Sequence, residues 1–490
     1  MNTPRLRFAP SPTGQVHIGS LRTALFNYII AKKLGAKLIL RIEDTDEKRE
    51  VDGAVDNLLR VMNWAGIIFD EGPHVGGEFG PYTQSERLEI YKKYYNELIE
   101  LKKAYYCFCS PERLDIIRTE QQANKQAPRY DKHCRDLSQA EIDQKIKEGN
   151  GYVIRQKMPL DGLVEVKDRL RGKVTFKAAD LEDHVLVKSN GVPTYHFANV
   201  IDDHLMQVTL VIRGEEWLPS LPKNILLYQD FGWTPPEFLH MSLMLNKNGG
   251  KLSKRHGDVS VESFKEQGYL KEALINFCAL QGWHPKEEGK EIYSLDEIIE
   301  KFDINSLGTS GSIFETEKLD YINGCYIRKL KLDELIELTK PYLIESIQAT
   351  KNPAKTTSEF IAKVIGLEQE RLKKLSDIKA LTYFFFKDEL NYEKELLIWK
   401  KMTSTEALNN LQELYHALNV IPDEAWVSAG IEEAVRSHIQ SKEGKIGHYL
   451  WPMRASLTGE QSSPGPFDVA FVLGKKESLE RINFGISKLK

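Results

Sequence analysis

The sequence predicts an α/β protein that changes character along its length. A parallel-sheet domain interrupted by an inserted α/β segment comes first, and all-helical domains follow. Three observations predict this. The first forty residues alternate strand, helix and strand. Residues from about 105 to 190 break that alternation, which resumes near 207. After about residue 315 the helical periodicity persists while strand signals almost vanish. A chain of 490 residues is also too long for one comfortable core, and its length suggests about three domains.

The opening unit can be read element by element. Leu6 to Ala9 is a short apolar strand, and Pro10, Pro12 and Gly14 make a rigid loop. Ser20 to Leu34 is a helix with Leu21, Leu25, Ile29 and Ile30 on one side, closed by Gly35. Lys37 to Ile42 is a second strand, at a spacing that suits a right-handed parallel crossover. Within the interruption, Tyr152–Met158 and His184–Val187 are β-like runs. Gln207–Ile212 then reads as a strand and Leu221–Phe231 as a helix. Helices are expected over Glu334–Ile347, Ser358–Ile378, Thr405–Leu418, Ile431–Gln440 and from Glu477 onward. The expected division is 1–104 and 191–245 as two halves of one domain, 105–190 inserted, 246–325 a linker and 326–490 helical.

Composition narrows the class. The apolar fraction of 41% and charged fraction of 28% are those of an ordinary soluble chain. No run of about 18 apolar residues is present, so no membrane span is expected. Residues 1–7 have no apolar core before a cleavage site, so no signal peptide is expected. Five scattered cysteines argue for a reducing, cytoplasmic setting. With a net charge of −4, a nucleic-acid partner would have to be held by local patches. Lys102-Lys103 and Arg371-Leu372-Lys373-Lys374 are the candidates, each expected on a helix.

Two strings carry phosphate chemistry. Arg7-Phe8-Ala9-Pro10-Ser11-Pro12-Thr13-Gly14, followed by His17-Ile18-Gly19-Ser20, runs a strand into a tight loop and a helix N-terminus. Backbone N–H groups and the helix dipole favour anions there. Gly19 leaves room for a flat base, and His17 is placed to donate to a phosphate. Gly249-Gly250-Lys251-Leu252-Ser253-Lys254-Arg255-His256-Gly257 is a glycine-hinged cationic loop. Closing over a triphosphate, such a loop would stabilise charge mainly in the transition state. Read alone, the first is a proline-rich turn and the second a solvated basic turn.

Taken together, and in this order, the two strings resemble the class I aminoacyl-tRNA synthetases, with His17-Ile18-Gly19-Ser20 in the place of "HIGH" and Lys251-Leu252-Ser253-Lys254-Arg255 in the place of "KMSKS". Glu43-Asp44-Thr45-Asp46, Pro193-Thr194-Tyr195-His196-Phe197-Ala198-Asn199 and Val211-Ile212-Arg213-Gly214-Glu215-Glu216-Trp217 look like the glutamyl branch. Gly80 to Arg87, Lys318 to Asn323, and Pro452 to Gly459 are also similar to that branch, the last of them to its bacterial type. The chain departs from the pattern at Leu210, where the family often has histidine, and at Asn190, where aspartate is common.

The resemblance implies a Rossmann-like catalytic domain, an insertion gripping the tRNA acceptor end, and a helical anticodon-binding region. It implies ATP with Mg²⁺, L-glutamate and tRNA(Glu), with tRNA(Gln) as a second candidate, as substrates and partners, with glutamate activation requiring bound tRNA. By the same resemblance His17, Gly19, Lys251 and Lys254 serve catalysis. Thr13, His17, Gly19, Ser20, Glu216 and Lys254 bind ATP. Arg7 and Arg213 would engage the glutamate side chain, Ser11 and Glu43 its amino group, and Tyr195 and Asn199 would line the pocket. The helical region disfavours a shorter relative that loads glutamate onto a modified base. Intact His17, Gly19 and Lys254 disfavour an inactive RNA-binding paralogue. Monomer is the default state.

Cys107-Phe108-Cys109 with Cys134 is a candidate site for one structural Zn²⁺, because thiolates suit that ion. Asp136 is the expected fourth ligand, with Tyr130 as the alternative. Cys278 and Cys325 lie in apolar surroundings and are expected to be buried.

Overall fold

The computed structural model describes residues 3–46, 51–252 and 259–490. The chain divides into two compact units. One comprises residues 1–264 and 271–316, and the other residues 265–270 and 317–490.

The first unit is built on a Rossmann-like sheet. Its strands are β1 (Arg5–Phe8), β2 (Lys37–Leu40), β5 (Leu163–Asp168), β6 (Gly172–Lys177), β8 (Leu210–Gly214) and β9 (Glu237–Met241). Among the described residues the order is β2-β1-β8-β9-β5-β6. The pairs β1–β2, β1–β8, β8–β9 and β9–β5 are parallel, and β5–β6 is an antiparallel hairpin. A second, antiparallel sheet joins β3 (Ala104–Cys107), β4 (Val153–Gln156) and β7 (Val185–Val187). A two-stranded parallel pair, β10 (Met244–Leu245) with β11 (Ser312–Ile313), completes the unit.

The β1-helix-β2 crossover forms as the apolar pattern predicts, with small differences. β1 and β2 pair in register from Arg5↔Lys37 to Phe8↔Leu40. The helix runs Ile18–Leu34, two residues earlier than expected, because His17 rather than a later residue caps it. Gly35 ends it in the left-handed region at φ 60°, where a side chain would be strained. The helix is buried on nearly every side from Ile18 to Ala31, not on one stripe. It packs between the sheet and the Lys271–Leu280 helix, and a helix with neighbours on both sides shows little amphipathicity. Even Asn27 is fully buried, donating to the Thr23 and Ile212 carbonyls at 2.9 and 3.4 Å.

The second unit is helical, and among its described residues there are no strands. Leu332–Ala349, Ser404–Asn419, Ser428–Ser441 and Lys475–Leu489 extend the expected helices by one to three residues at most ends. Thr403 caps Ser404–Asn419 in a box with Glu406. Thr316–Lys329, Ile446–Thr458 and Pro466–Leu473 are additional helices. Pro452 lies inside one of them, which hides it from a reading by proline punctuation.

The expected helix over Ser358–Ile378 is a correction. It stops at Glu368, turns once more through Gln369–Arg371 and restarts only at Asp377. Tertiary tethers account for the break. Asp377 accepts the Lys373 and Lys374 N–H groups at 3.3 and 2.9 Å, and Asn323 donates to the Lys373 carbonyl at 2.7 Å. The Leu375 N–H donates to the Gly268 carbonyl. Leu372–Lys374 of the basic string therefore lie in a loop, and Arg371 ends the single turn before it. Lys102 likewise sits in a turn at φ 58°, and Lys103 pairs with Asp230 at 3.3 Å. Cys278 is fully buried, whereas Cys325 is only half-buried, with the Arg328 guanidinium 3.2 Å from its sulfur.

Candidate active site

A cavity of about 800 Å³ lies at the carboxyl ends of β1, β8 and β9, where ligands bind in parallel sheets. Its wall includes Arg7, Ser11, Thr13, His17, Gly19, Ser20, Glu43, Tyr195, Arg213, Glu216 and Lys251. Eleven residues singled out from the sequence thus meet around one space. Asn199 does not reach it. It is buried one turn along the Tyr195–Leu205 helix, and its side-chain carbonyl accepts from Asn224 at 3.0 Å.

The helix start is shaped by its own first residues. The His17 backbone is extended, at φ −74° and ψ 145°, and its Nδ1 accepts the Gly19 N–H at 3.0 Å. A Cβ on Gly19 would stand 3.2 Å from that nitrogen, closer than most side chains tolerate. The imidazole is thus folded over the first turn, and glycine is what permits it. Arg22, farther along the same helix, also lines the cavity and donates to the Ser242 carbonyl at 2.7 Å. Burial lowers its pKa to about 10, with Cys278, Glu215 and Glu216 pulling the other way.

Lys254 and the rest of Ser253–Asp258 lie outside the described residues. Both flanks of that segment reach the helix start or the cavity. On one side Lys251 and Leu252 line the cavity, with the Lys251 Nζ 2.8 Å from a Glu216 carboxylate oxygen. On the other, the Val259 carbonyl accepts the Ile18 N–H at 2.9 Å, and His17 and Ser260 form an antiparallel bridge.

Beneath the cavity lies a buried charge network. Arg7 Nε donates to Asp203 at 3.1 Å. Arg41, with no exposed surface, reaches Asp203 at 2.7 Å, Glu43 at 2.9 Å and Asp202 at 3.6 Å. Arg87 holds the other side of Asp202 at 2.7 Å, and Gln84 and Tyr91 donate to it as well. Burial pushes the Glu43 carboxyl above its ordinary range, with Arg41 and Arg7 opposing. Burial acts the same way on Asp203, but the same two arginines outweigh it and hold that carboxyl low.

Arg213 stands on β8 and is 5% exposed. It reaches the Tyr195 hydroxyl at 3.2 Å and His240 at 3.1 Å. Its remaining terminal nitrogen is buried and has no hydrogen-bond partner among the described residues. An unpaired guanidinium donor beside a cavity is costly, and an anionic ligand would satisfy it. Sequence reasoning missed Arg22, Arg41, Asp202, Asp203 and His240. One signal was present for the aspartates. Tyr195, Asn199 and Asp202–Asp203 recur at helical spacing, so they share one face.

The cysteine cluster forms, with a changed fourth member. The thiols of Cys107, Cys109 and Cys134 lie within 4.8 Å of one another. Asp136 does not join them. Arg135 in the same turn is drawn to Asp183 at 2.8 Å, while Asp136 faces solvent with its carboxylate 88% exposed and 3.6 Å from Lys157. The Tyr130 hydroxyl stands there instead, 3.2 Å from Cys107 Sγ and 3.7 Å from Cys109 Sγ. The Cys107 and Cys134 thiols share one hydrogen bond, which pulls the Cys107 thiol down and pushes the Cys134 thiol up. Arg113 donates to Cys109 Sγ at 3.3 Å. Three converging thiols with a tyrosine hydroxyl and an arginine beside them are a donor set that fits Zn²⁺.

Comparison with known proteins places the chain. Residues 4–321 match the family model of the class I tRNA synthetase (E and Q) catalytic domain, and residues 334–486 match an anticodon binding domain. The chain belongs to the class I tRNA synthetases of the glutamate and glutamine group, a class that uses ATP with Mg²⁺. Its relatives include the glutamate–tRNA ligase of Clostridium botulinum strain Hall, 45% identical over 100% of this chain and 99% of the relative. The glutamate–tRNA ligase of Dehalococcoides mccartyi is 42% identical, over 100% and 98%. A crystal structure of a glutamate tRNA ligase from Elizabethkingia meningosepticum, in complex with its amino acid, superposes at a TM-score of 0.88 with 38% identity over 100% of both chains. Among the described residues no helix is long and apolar enough to cross a membrane.

Proposed function

We propose that this chain is a glutamate–tRNA ligase that makes glutamyl adenylate and transfers the glutamyl group to the 3′-terminal adenosine of tRNA(Glu). The observation that carries the assignment is the cavity itself. A helix N-terminus with His17 and Gly19 lies on one wall, and Arg7 and the unsatisfied Arg213 lie on another. Arg7 and Arg213 bind the substrate side-chain carboxylate. Ser11 and Glu43 hold the ammonium group. Tyr195 closes the pocket, and Asn199 supports it from behind. Thr13, His17, Gly19, Ser20, Glu216 and Lys254 take the ATP.

The reaction needs no side-chain nucleophile. The glutamate α-carboxylate attacks the α-phosphorus of ATP and expels pyrophosphate, and the tRNA ribose hydroxyl then displaces AMP from the adenylate. His17, Lys251 and Lys254 stabilise charge that grows on the phosphates, and the pocket supplies alignment. Mg²⁺ accompanies the triphosphate. Pyrophosphate exchange with glutamate, measured with and without tRNA, tests the reading. Glutamate-dependent exchange that appears on adding tRNA is expected, and its absence under both conditions would refute the activity.

Residues 1–104 and 191–245, together with the 163–177 hairpin that edges their sheet, form the catalytic domain, and the rest of 105–190 grips the acceptor end. Residues 246–325 link to the anticodon-binding residues 326–490. The partners are tRNA(Glu) and, as a second candidate, tRNA(Gln); aminoacylation of each purified species separates them. The chain acts in the cytoplasm as a monomer, which light scattering of the purified protein checks. Cys107, Cys109, Cys134 and Tyr130 hold one structural Zn²⁺. Metal analysis should read one zinc per chain, lost in Cys109→Ser, and a metal-free but folded and active wild type would exclude it.

A further inference from the structure

The pair behind Arg213 is not accounted for by substrate contact. His240 on β9 has no exposed surface, and Asp168 at the end of β5 is 1% exposed. The His240 Nδ1 is 2.8 Å from Asp168 Oδ2, and its Nε2 is 3.1 Å from Arg213 Nε. A guanidinium Nε–H can only donate. The imidazole Nε2 must therefore accept, the ring proton must sit on Nδ1, and Nδ1–H donates to Asp168. Burial, the largest effect on this ring, lowers its pKa, with Asp168 opposing. The ring is thus neutral, and its tautomer is fixed from both sides.

Asp168 is itself held tightly. Its Oδ2 also accepts the His240 backbone N–H at 2.9 Å, and its Oδ1 accepts the Leu170 and Arg171 N–H groups at 3.0 Å each. Every oxygen therefore faces donors. With its Nε occupied by His240 and one terminal nitrogen on Tyr195, the Arg213 guanidinium has its plane set, and its last nitrogen remains for a ligand.

We propose that Asp168 and His240 are positioning residues for amino-acid selection, holding the Arg213 guanidinium in the plane that receives the glutamate side-chain carboxylate and so favouring glutamate over its uncharged amide. The proposal rests on the reading of this cavity as the glutamate site. Neither residue touches the substrate. Asp168 comes from a hairpin between residues 105 and 190, so that segment contributes to the amino-acid pocket as well.

The test compares His240→Leu, His240→Gln and Asp168→Asn with the wild type in pyrophosphate exchange with tRNA present. Leucine removes the acceptor for Arg213 Nε. An amide at 168 presents only one accepting side to donors on two, so it must either lose the backbone contacts or reverse the imidazole tautomer. Both variants should raise the glutamate KM by about 10- to 100-fold, with kcat and the ATP KM within about 2-fold, and should narrow the preference for glutamate over glutamine. His240→Gln keeps an acceptor and should recover most of the glutamate affinity. An unchanged glutamate KM in Asp168→Asn, or equal losses toward glutamate and ATP, would overturn the proposal. If His240→Leu fails to fold, Asp168→Asn and His240→Gln decide alone. A wild type that does not exchange pyrophosphate with glutamate would instead sink the functional assignment, which keeps the two failures apart.

Discussion

Replacing Lys254 with alanine is expected to cut glutamyl adenylate formation by about 10²- to 10³-fold, about 3–4 kcal/mol of transition-state stabilisation, with no loss of melting temperature. Displacement of pyrophosphate spreads negative charge over phosphoryl oxygens, and a cation that meets those oxygens only in the transition state lowers the barrier without tightening the ground state. The geometry favours this role for the segment. Its entrance, Lys251–Leu252, lines the cavity, and its exit hydrogen-bonds the helix start at Ile18. Single-turnover adenylate formation with saturating ATP and glutamate measures it. A variant within about threefold of wild type would remove Lys254 from the mechanism.

Arg41→Met is expected to destabilise the first unit by about 3–5 kcal/mol. The substitution preserves length and apolar bulk but leaves Glu43, Asp202 and Asp203 with one shared cation fewer in a water-excluded site. Arg7 and Arg87 remain to neutralise part of that charge, so a measurable folded population should survive. Hydrogen exchange of peptides spanning residues 37–43 and 195–205 reads the loss locally, without assuming that the whole chain unfolds in one step. Adding Asp203→Asn should restore part of it, since the second change removes one of the stranded charges. Wild-type protection in both peptides would show that the network contributes nothing to stability.

The sequence disclosed those parts of the site whose chemistry is local. A glycine after a capping histidine and lysines in a glycine-hinged loop carry meaning without knowledge of their neighbours, as do arginines in recognisable strings. Five of the residues of those kinds, Arg7, His17, Gly19, Arg213 and Lys251, line the cavity, and six more named through the family resemblance join them. What it concealed depends on partners distant along the chain. Arg41 reads as an ordinary strand-end cation until Asp202 and Asp203 arrive from about 160 residues away. His240 stands in a stretch that carries no signal until Asp168 and Arg213 bracket it. The break after Glu368 is invisible for the same reason, because tethers from Asn323 and Gly268 override a helical pattern. That Tyr130 rather than Asp136 lies beside the thiols depends on which way one tight turn points, which spacing does not encode.

The placement of the β5–β6 hairpin bears on how far such an enzyme can be miniaturised. Trimming residues 105–190 as a single block would also amputate the outer rim of the main sheet, since residues 163–177 lie beside β9. The stump would bare β9 backbone groups to stray chains and invite clumping. A trimmed version therefore has to spare that ribbon and splice around it.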